Sequence, residues 1–161
     1  MGFAKLSLKG RALKLLAQRE HSRSELETKL ARHVEEGDDL AAILDELESK
    51  DFINSERVAA SVVHRRASRM GTQRVVQELR SKGLDDALIK STAAELQSTE
   101  LERALQVWKS KFGSREPAST PQEKAKQMRF LAARGFSGDV VRKVLKSAAE
   151  IDDDEDSSCF E

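Results

Sequence analysis

The chain has 161 residues, of which 39% are hydrophobic, 35% charged and only 4% aromatic, with no Tyr, two Pro and one Cys. Its 28 Lys and Arg balance its 28 Asp and Glu, and no apolar run approaches the roughly 20 residues of a membrane span. These numbers exclude a thick aromatic core, an internal disulfide and a membrane-spanning helix, and they point to a cytoplasmic protein of small aliphatic helical modules.

Helical signals then follow along the chain. Leu8, Ala12, Leu15 and Leu16 have helical spacing. Ser22 or Ser24 can cap a second helix, with Ser24 and Glu27 spaced as a capping box and Leu26, Leu30 and Val34 on one face until Gly37 closes it. Asp38 or Asp39 starts a third helix through Leu40, Ile43, Leu44 and Leu47, and Ser55 caps a fourth carrying Val58, Val62 and Met70. Gly71 and Thr72 mark the next boundary. A fifth helix with Val75, Val76 and Leu79 ends at Gly83, and a sixth runs from Asp85 through Ile89 to Leu96. Thr99 can cap a seventh, which carries Leu101, Leu105, Trp108 and Phe112 up to a linker at 113–120. Thr120, Pro121 and Glu123 make a strong start for an eighth, ended by Gly135, and Val140, Val141, Val144 and Leu145 define a ninth.

Three segments align without gaps: Leu47 to Phe52, Leu79 to Leu84 and Leu131 to Phe136. Each has Leu, a basic residue three later (Lys50, Lys82, Arg134) and a large apolar residue five later, at a junction between helices. The expected fold is therefore all-α, an elongated tandem array of three three-helix repeats over residues 8–51, 52–97 and 98–150. Residues 151–161 have almost nothing to bury and are expected to form a disordered acidic tail.

The zero net charge hides blocks: +5 over residues 52–84 and +7 over 106–146, against −7 over 35–51 and −7 over 147–161. Between Val58 and Gly83 the only acid is Glu78, beside Arg65, Arg66, Arg69, Arg74, Arg80 and Lys82. A second basic patch comprises Lys109, Lys111, Arg115, Lys124, Lys126, Arg129 and Arg134, continued by Arg142, Lys143 and Lys146. Such blocks can be solvated helix faces. Surface helices usually intersperse both signs, however, so the patches read as contacts to phosphate or acidic protein. Trp108, Phe112, Phe130 and Phe136 fall where helices need core, which leaves little for base stacking.

Catalytic chemistry finds no footing. His21, His33 and His64 lie on different helices, His33 and Glu36 form at most a surface pair, and no Gly-Lys-Ser/Thr loop or metal spacing occurs. Cys159, in the acidic tail, reads as an idle thiol. No cofactor or metal is expected, and no enzyme.

Three stretches carry a family resemblance: Asp51 to Ala59 (DFINSERVA), Gly71 to Leu84 (GTQRVVQELRSKGL) and Glu123 to Phe136 (EKAKQMRFLAARGF). In order and spacing, from about Arg11 to Ala148, they resemble the bacterial regulatory protein family RecX. The resemblance implies a modulator of the RecA recombinase, lying in the groove of the RecA filament on single-stranded DNA. There it would inhibit filament extension, ATP hydrolysis, strand exchange and the coprotease activity that triggers the SOS response, so acting on DNA repair and recombination. It also implies weak, non-specific binding to single-stranded and possibly double-stranded DNA. Phe52 stands where many members have Tyr, and Met70 where Arg is frequent. Joined to the basic patches, this reading takes Arg65, Arg66, Arg69, Arg74, Lys82, Lys124, Lys126, Arg129 and Arg134 as RecA or DNA contacts, acting as positioning charges. The acidic tail would compete with phosphate for them. The alternative from another class is a free-standing helix-turn-helix transcription regulator. That reading needs a dimer, and with no dimerising heptad in the chain the expected state is a monomer.

Overall fold

The computed structural model describes residues 4–113 and 118–156, with side chains as far as residue 150. Among the described residues nine α-helices follow one another: α1 Leu8–Gln18, α2 Arg23–Leu30, α3 Leu40–Ser49, α4 Ser55–Arg66, α5 Thr72–Ser81, α6 Asp86–Ser98, α7 Glu100–Phe112, α8 Pro121–Ala133 and α9 Gly138–Asp156. A short 3-10 turn, Ala31–His33, tightens the end of α2.

The helices group in threes because each group closes its own apolar seam. Leu8, Leu26, Leu30, Leu44, Leu47 and Ile53 fill unit 1 (α1–α3). Val58, Val62, Val75, Leu79, Ile89 and Leu96 fill unit 2 (α4–α6). Trp108, Phe112, Leu131, Phe136, Val141 and Val144 fill unit 3 (α7–α9), where the Trp108 indole N–H donates to buried Gln127 at 2.9 Å. Each core is small, so each unit depends on the next for part of its stability.

The helix starts follow capping chemistry. Ser22, not Ser24, caps α2: its hydroxyl accepts from the Glu25 N–H at 3.2 Å, and its own N–H donates to the Glu25 carboxylate at 2.9 Å. Asn54, one residue before the expected Ser55, caps α4, while Asp39, Asp85 and the Thr120–Glu123 box cap α3, α6 and α8. Thr99 does not cap α7. Its hydroxyl turns back to the Leu96 carbonyl at 3.3 Å, which leaves α6 and α7 almost continuous.

The three aligned segments are three copies of one helix stop. Asp51, Gly83 and Gly135 all take left-handed backbone (φ 62, 70 and 86). In each, the N–H of the following residue returns to the Leu five positions earlier: Phe52 to Leu47, Leu84 to Leu79 and Phe136 to Leu131. The stops do not occupy equivalent places, however. The first ends the third helix of unit 1, whereas the other two end the second helices of units 2 and 3. In the first, moreover, Phe52 is exposed and Ile53 takes the buried anchor position. The segments are thus a shared cap, not one repeat in one register.

At the C-terminus α9 runs on to Asp156, so the helix enters the segment expected to be disordered. Adding residues to an already nucleated helix needs far less than starting one, and α9 is nucleated by Val141 and Val144 in the unit 3 core. Residues 157–161, with Cys159, and linker residues 114–117, with Arg115, lie outside the described residues, as do the tail side chains beyond 150.

The units meet through the ends of their second helices. The C-terminus of α8 abuts the N-terminus of α5: the N–H groups of Gly71 and Gln73 donate to the carbonyls of Arg134 (2.8 Å) and Gly135 (3.2 Å). The C-terminus of α5 abuts the N-terminus of α2: the Ser22 hydroxyl donates to the Lys82 carbonyl at 2.6 Å, and the Lys82 ammonium donates to Glu25 at 2.8 Å. At the first junction carbonyl ends satisfy amide ends directly, at the second side chains make the link, and opposite helix-dipole charges meet at both.

Candidate nucleic-acid interface

The cationic side chains converge where α4, α7 and α8 come together. The last turn of α4 and the loop after it carry Arg65, Arg66 and Arg69; α7 contributes Gln106, Ser110 and Lys111, and α8 Phe130, with Arg134 just beyond it. Together they line an open cleft of about 510 Å³. A second hollow, of about 650 Å³, adjoins it through the shared Arg66 and Met70 and is lined further by Arg74, Gln77, Glu78 and Ser81. The two form one trough along the seam between units 2 and 3.

Two supports hold this trough in shape: Arg103, which no sequence pattern singles out, and Phe130, expected as core but only half-buried. Arg103, on the first turn of α7, reaches back into unit 2. Its guanidinium donates to the carbonyls of Ala67 (2.9 Å), Met70 (2.7 Å) and Leu96 (2.9 Å), closing the C-termini of α4 and α6. Burial lowers its pKa from the ordinary arginine value, a shift that Glu100 partly opposes. Glu100 itself is buried and accepts the Thr72 N–H at 2.8 Å. It supplies to α5 the cap that Gly71 cannot. One turn of unit 3 therefore finishes three helix ends of unit 2.

The second support is Phe130. It packs edge-on against Phe112 (centroids 5.2 Å apart, planes at 85°) and carries the Arg134 guanidinium 4.6 Å from its ring centre, with the Lys111 ammonium at 5.9 Å. Arg134 also donates to the Arg69 carbonyl at 3.2 Å. Phe130 is thus only half-buried, and the Arg134 guanidinium covers its ring. Trp108, Phe112 and Phe136 are core, as expected.

Of the residues expected as contacts, Arg65, Arg66, Arg69, Arg74 and Arg134 line the trough. Lys126 and Arg129 are exposed on α8, and Lys126 stands one turn before Phe130. Lys124 is exposed elsewhere, beside Trp108, Gln127 and Lys146 on a separate hollow. Lys82 differs most. Its side chain is 11% exposed and paired with Glu25, itself 16% exposed, so it clasps unit 2 to unit 1 instead of facing solvent. Lys111 joins the set from the second basic patch. Among the described residues no group of His, Cys, Asp or Glu could hold a metal ion, and no helix is long and apolar enough to cross a membrane.

A chain of successive three-helix units belongs to the class of helical-repeat proteins. Family models for the first, second and third three-helix domains of RecX match residues 9–47, 54–92 and 98–145 in turn. A regulatory protein RecX of Leptothrix cholodnii is 51% identical over 89% of this chain and 90% of its own length. One of Ralstonia nicotianae is 48% identical over 94% of each chain. The chain belongs to the RecX family of regulatory proteins. A crystal structure of RecX from Lactobacillus salivarius has the same fold (TM-score 0.74, 21% identity, 88% of this chain and 94% of that one).

Proposed function

We propose that this protein binds the RecA nucleoprotein filament in its groove and restrains recombination, ATP hydrolysis and coprotease activity, and so modulates DNA repair and the SOS response. Family membership supports the RecA partner. The observation that carries the rest is the trough: Arg65, Arg66, Arg69, Arg74 and Arg134, drawn from two units, face one opening. A nucleoprotein filament is a long polyanion, and arginine forks in a row suit phosphate and carboxylate oxygens. The contacts place the protein without reading sequence, so binding to free DNA is weak, non-specific and steeply salt-dependent. The protein acts as a cytoplasmic monomer and performs no chemistry of its own.

The test is RecA-dependent ATP hydrolysis on single-stranded DNA with this protein titrated in. Hydrolysis falls as the protein is added. Inhibition at far less than one copy per RecA indicates blocked filament growth, and inhibition only near saturation indicates coating of the groove. Full hydrolysis at every ratio overturns the proposal.

A further inference from the structure

One acid stands inside the trough. Glu78, on α5, holds Arg66 at 2.8 Å through one carboxylate oxygen and lies 3.7 Å from Arg65 through the other. Its side chain is 23% exposed while the two arginines are 46% and 47% exposed, so the carboxylate is tucked under the cations and they remain open to solvent. Helix ties between α4 and α5 do not need it: the two helices already share the Val58, Val62, Val75 and Leu79 core. What Glu78 does is occupy, from within, the guanidinium faces that an incoming anion would take.

We propose that Glu78 is an internal competitor for the ligand of the trough, and that this ligand is the phosphodiester backbone of single-stranded nucleic acid. The inference rests on the trough being the binding surface. A backbone fits better than an acidic protein because the trough sets Arg65, Arg66, Arg69, Arg74, Lys111 and Arg134 along one opening, and a run of cations suits evenly repeated phosphates more than scattered carboxylates around an apolar anchor. The exposed large apolar residues Leu6, Val34, Phe52, Leu101 and Met128 all lie off the trough, and the Phe130 ring within it is covered by Arg134. A single phosphate would have to displace a carboxylate already in place. A chain of phosphates gains from Arg69, Arg74, Lys111 and Arg134 at the same time, so it can drive Arg65 and Arg66 off Glu78. Glu78 thereby sets a threshold: isolated anions are rejected and a continuous backbone is admitted.

The experiment measures fluorescence anisotropy of a labelled oligothymidylate with full-length protein at several salt concentrations. Three proteins are compared: the wild type, Glu78→Gln and Glu36→Gln, which removes the same charge from unit 1. Glu78→Gln tightens binding about fivefold at low salt, the scale of a partly exposed ion pair, and the gain fades as salt rises. Glu36→Gln changes affinity less than twofold. Equal affinities for Glu78→Gln and wild type, or an equal gain from Glu36→Gln, overturn the competitor. A gain with poly-glutamate and none with oligothymidylate overturns the ligand class. If Arg66→Gln and Arg69→Gln leave wild-type affinity unchanged, the trough itself is not the binding surface, and that failure is separate from the other two.

Discussion

The two junctions between units use one plan with different materials. Between units 2 and 3 the backbones themselves touch: a Cβ added to Gly71 would lie 2.3 Å from the backbone of Gly135 and Phe136, and one added to Gly135 would lie 2.5 Å from Arg74. Glu100 and Arg103 then seal the neighbouring helix ends. Between units 1 and 2 side chains make the contact: Ser22 and Glu25 receive Lys82, and Arg57 reaches Glu20 at 3.0 Å. Backbone contact fixes a relative position more tightly than long side chains can. Units 2 and 3 therefore form the rigid body that keeps the trough open, and unit 1 is attached to it by replaceable ion pairs.

The sharpest way to break this contrast is Gly71→Ala. The new methyl has only backbone to meet, so the junction must open, with an expected cost of about 3 kcal/mol in chemical denaturation. Oligonucleotide affinity should fall with it, because Arg134 and the α4 arginines separate. Arg103→Met is next. It leaves the carbonyls of Ala67, Met70 and Leu96 without their shared donor, an expected loss of about 2 kcal/mol, and Arg103→Lys should recover less than half because one ammonium cannot span that fork.

The side-chain junction should show instead in the pH dependence of stability. Burial raises the Glu25 pKa, but hydrogen bonds from Arg19, Lys82 and the Ser22 N–H outweigh it and bring the carboxyl down to about 2. Its contribution is complete above the ordinary value of 4.5 and is lost as pH falls towards 2. His21, buried beside Ser22 with Nδ1 3.0 Å from the Arg19 carbonyl, is held below its ordinary 6.5 chiefly by burial. It favours the folded state above 6.5, and that preference declines as pH falls below it. Melting curves should thus fall in two steps on acidification. Glu25→Gln shrinks the lower step, to which Glu46, also held at about 2 by Lys50 and Lys9, still contributes, and lowers stability at pH 7 by about 1 kcal/mol. An unchanged acid limb in Glu25→Gln would show that the ion pair does not hold unit 1.

Much of the fold was legible because its determinants are local. Apolar spacing, capping residues and turn glycines each act within a few positions, so the helices follow from them, whereas the aligned stops, which end the third helix of unit 1 but the second helices of units 2 and 3, do not mark the units. The junctions were not legible, since Gly71 meets Gly135 and Lys82 meets Glu25 across 64 and 57 residues. Local pattern alone therefore reads Lys82 as a free contact charge and gives Arg103, preceded by Glu100 and Glu102, no distinguishing mark. One local sign did point to the first junction. Among the described residues seven of the nine helices start on Ser, Asp, Asn or Thr whose side chain caps the helix, whereas α5 starts on Gly71 with none. Glycine is also an ordinary N-cap, but here a Cβ would meet the Gly135 and Phe136 backbone at 2.3 Å, so the position is held open for that approach.

The smallest effect on stability should come from the trough's own lining, and it separates function from framework. Arg65→Glu with Arg69→Glu alters two side chains that face solvent and bury no core, and the Arg69 group that Arg134 uses is its backbone carbonyl. Helicity should stay the same and the melting temperature should move by no more than about 2 °C. Polyanion affinity and RecA inhibition should nevertheless drop at least tenfold, since four units of charge change at the centre of the trough. The salt dependence of binding should flatten as well, because two fewer cations then release counterions from the nucleic acid. A double variant that melts normally and still inhibits RecA would move the contact surface away from the seam between units 2 and 3, while leaving the rigidity of that seam to Gly71, Glu100 and Arg103.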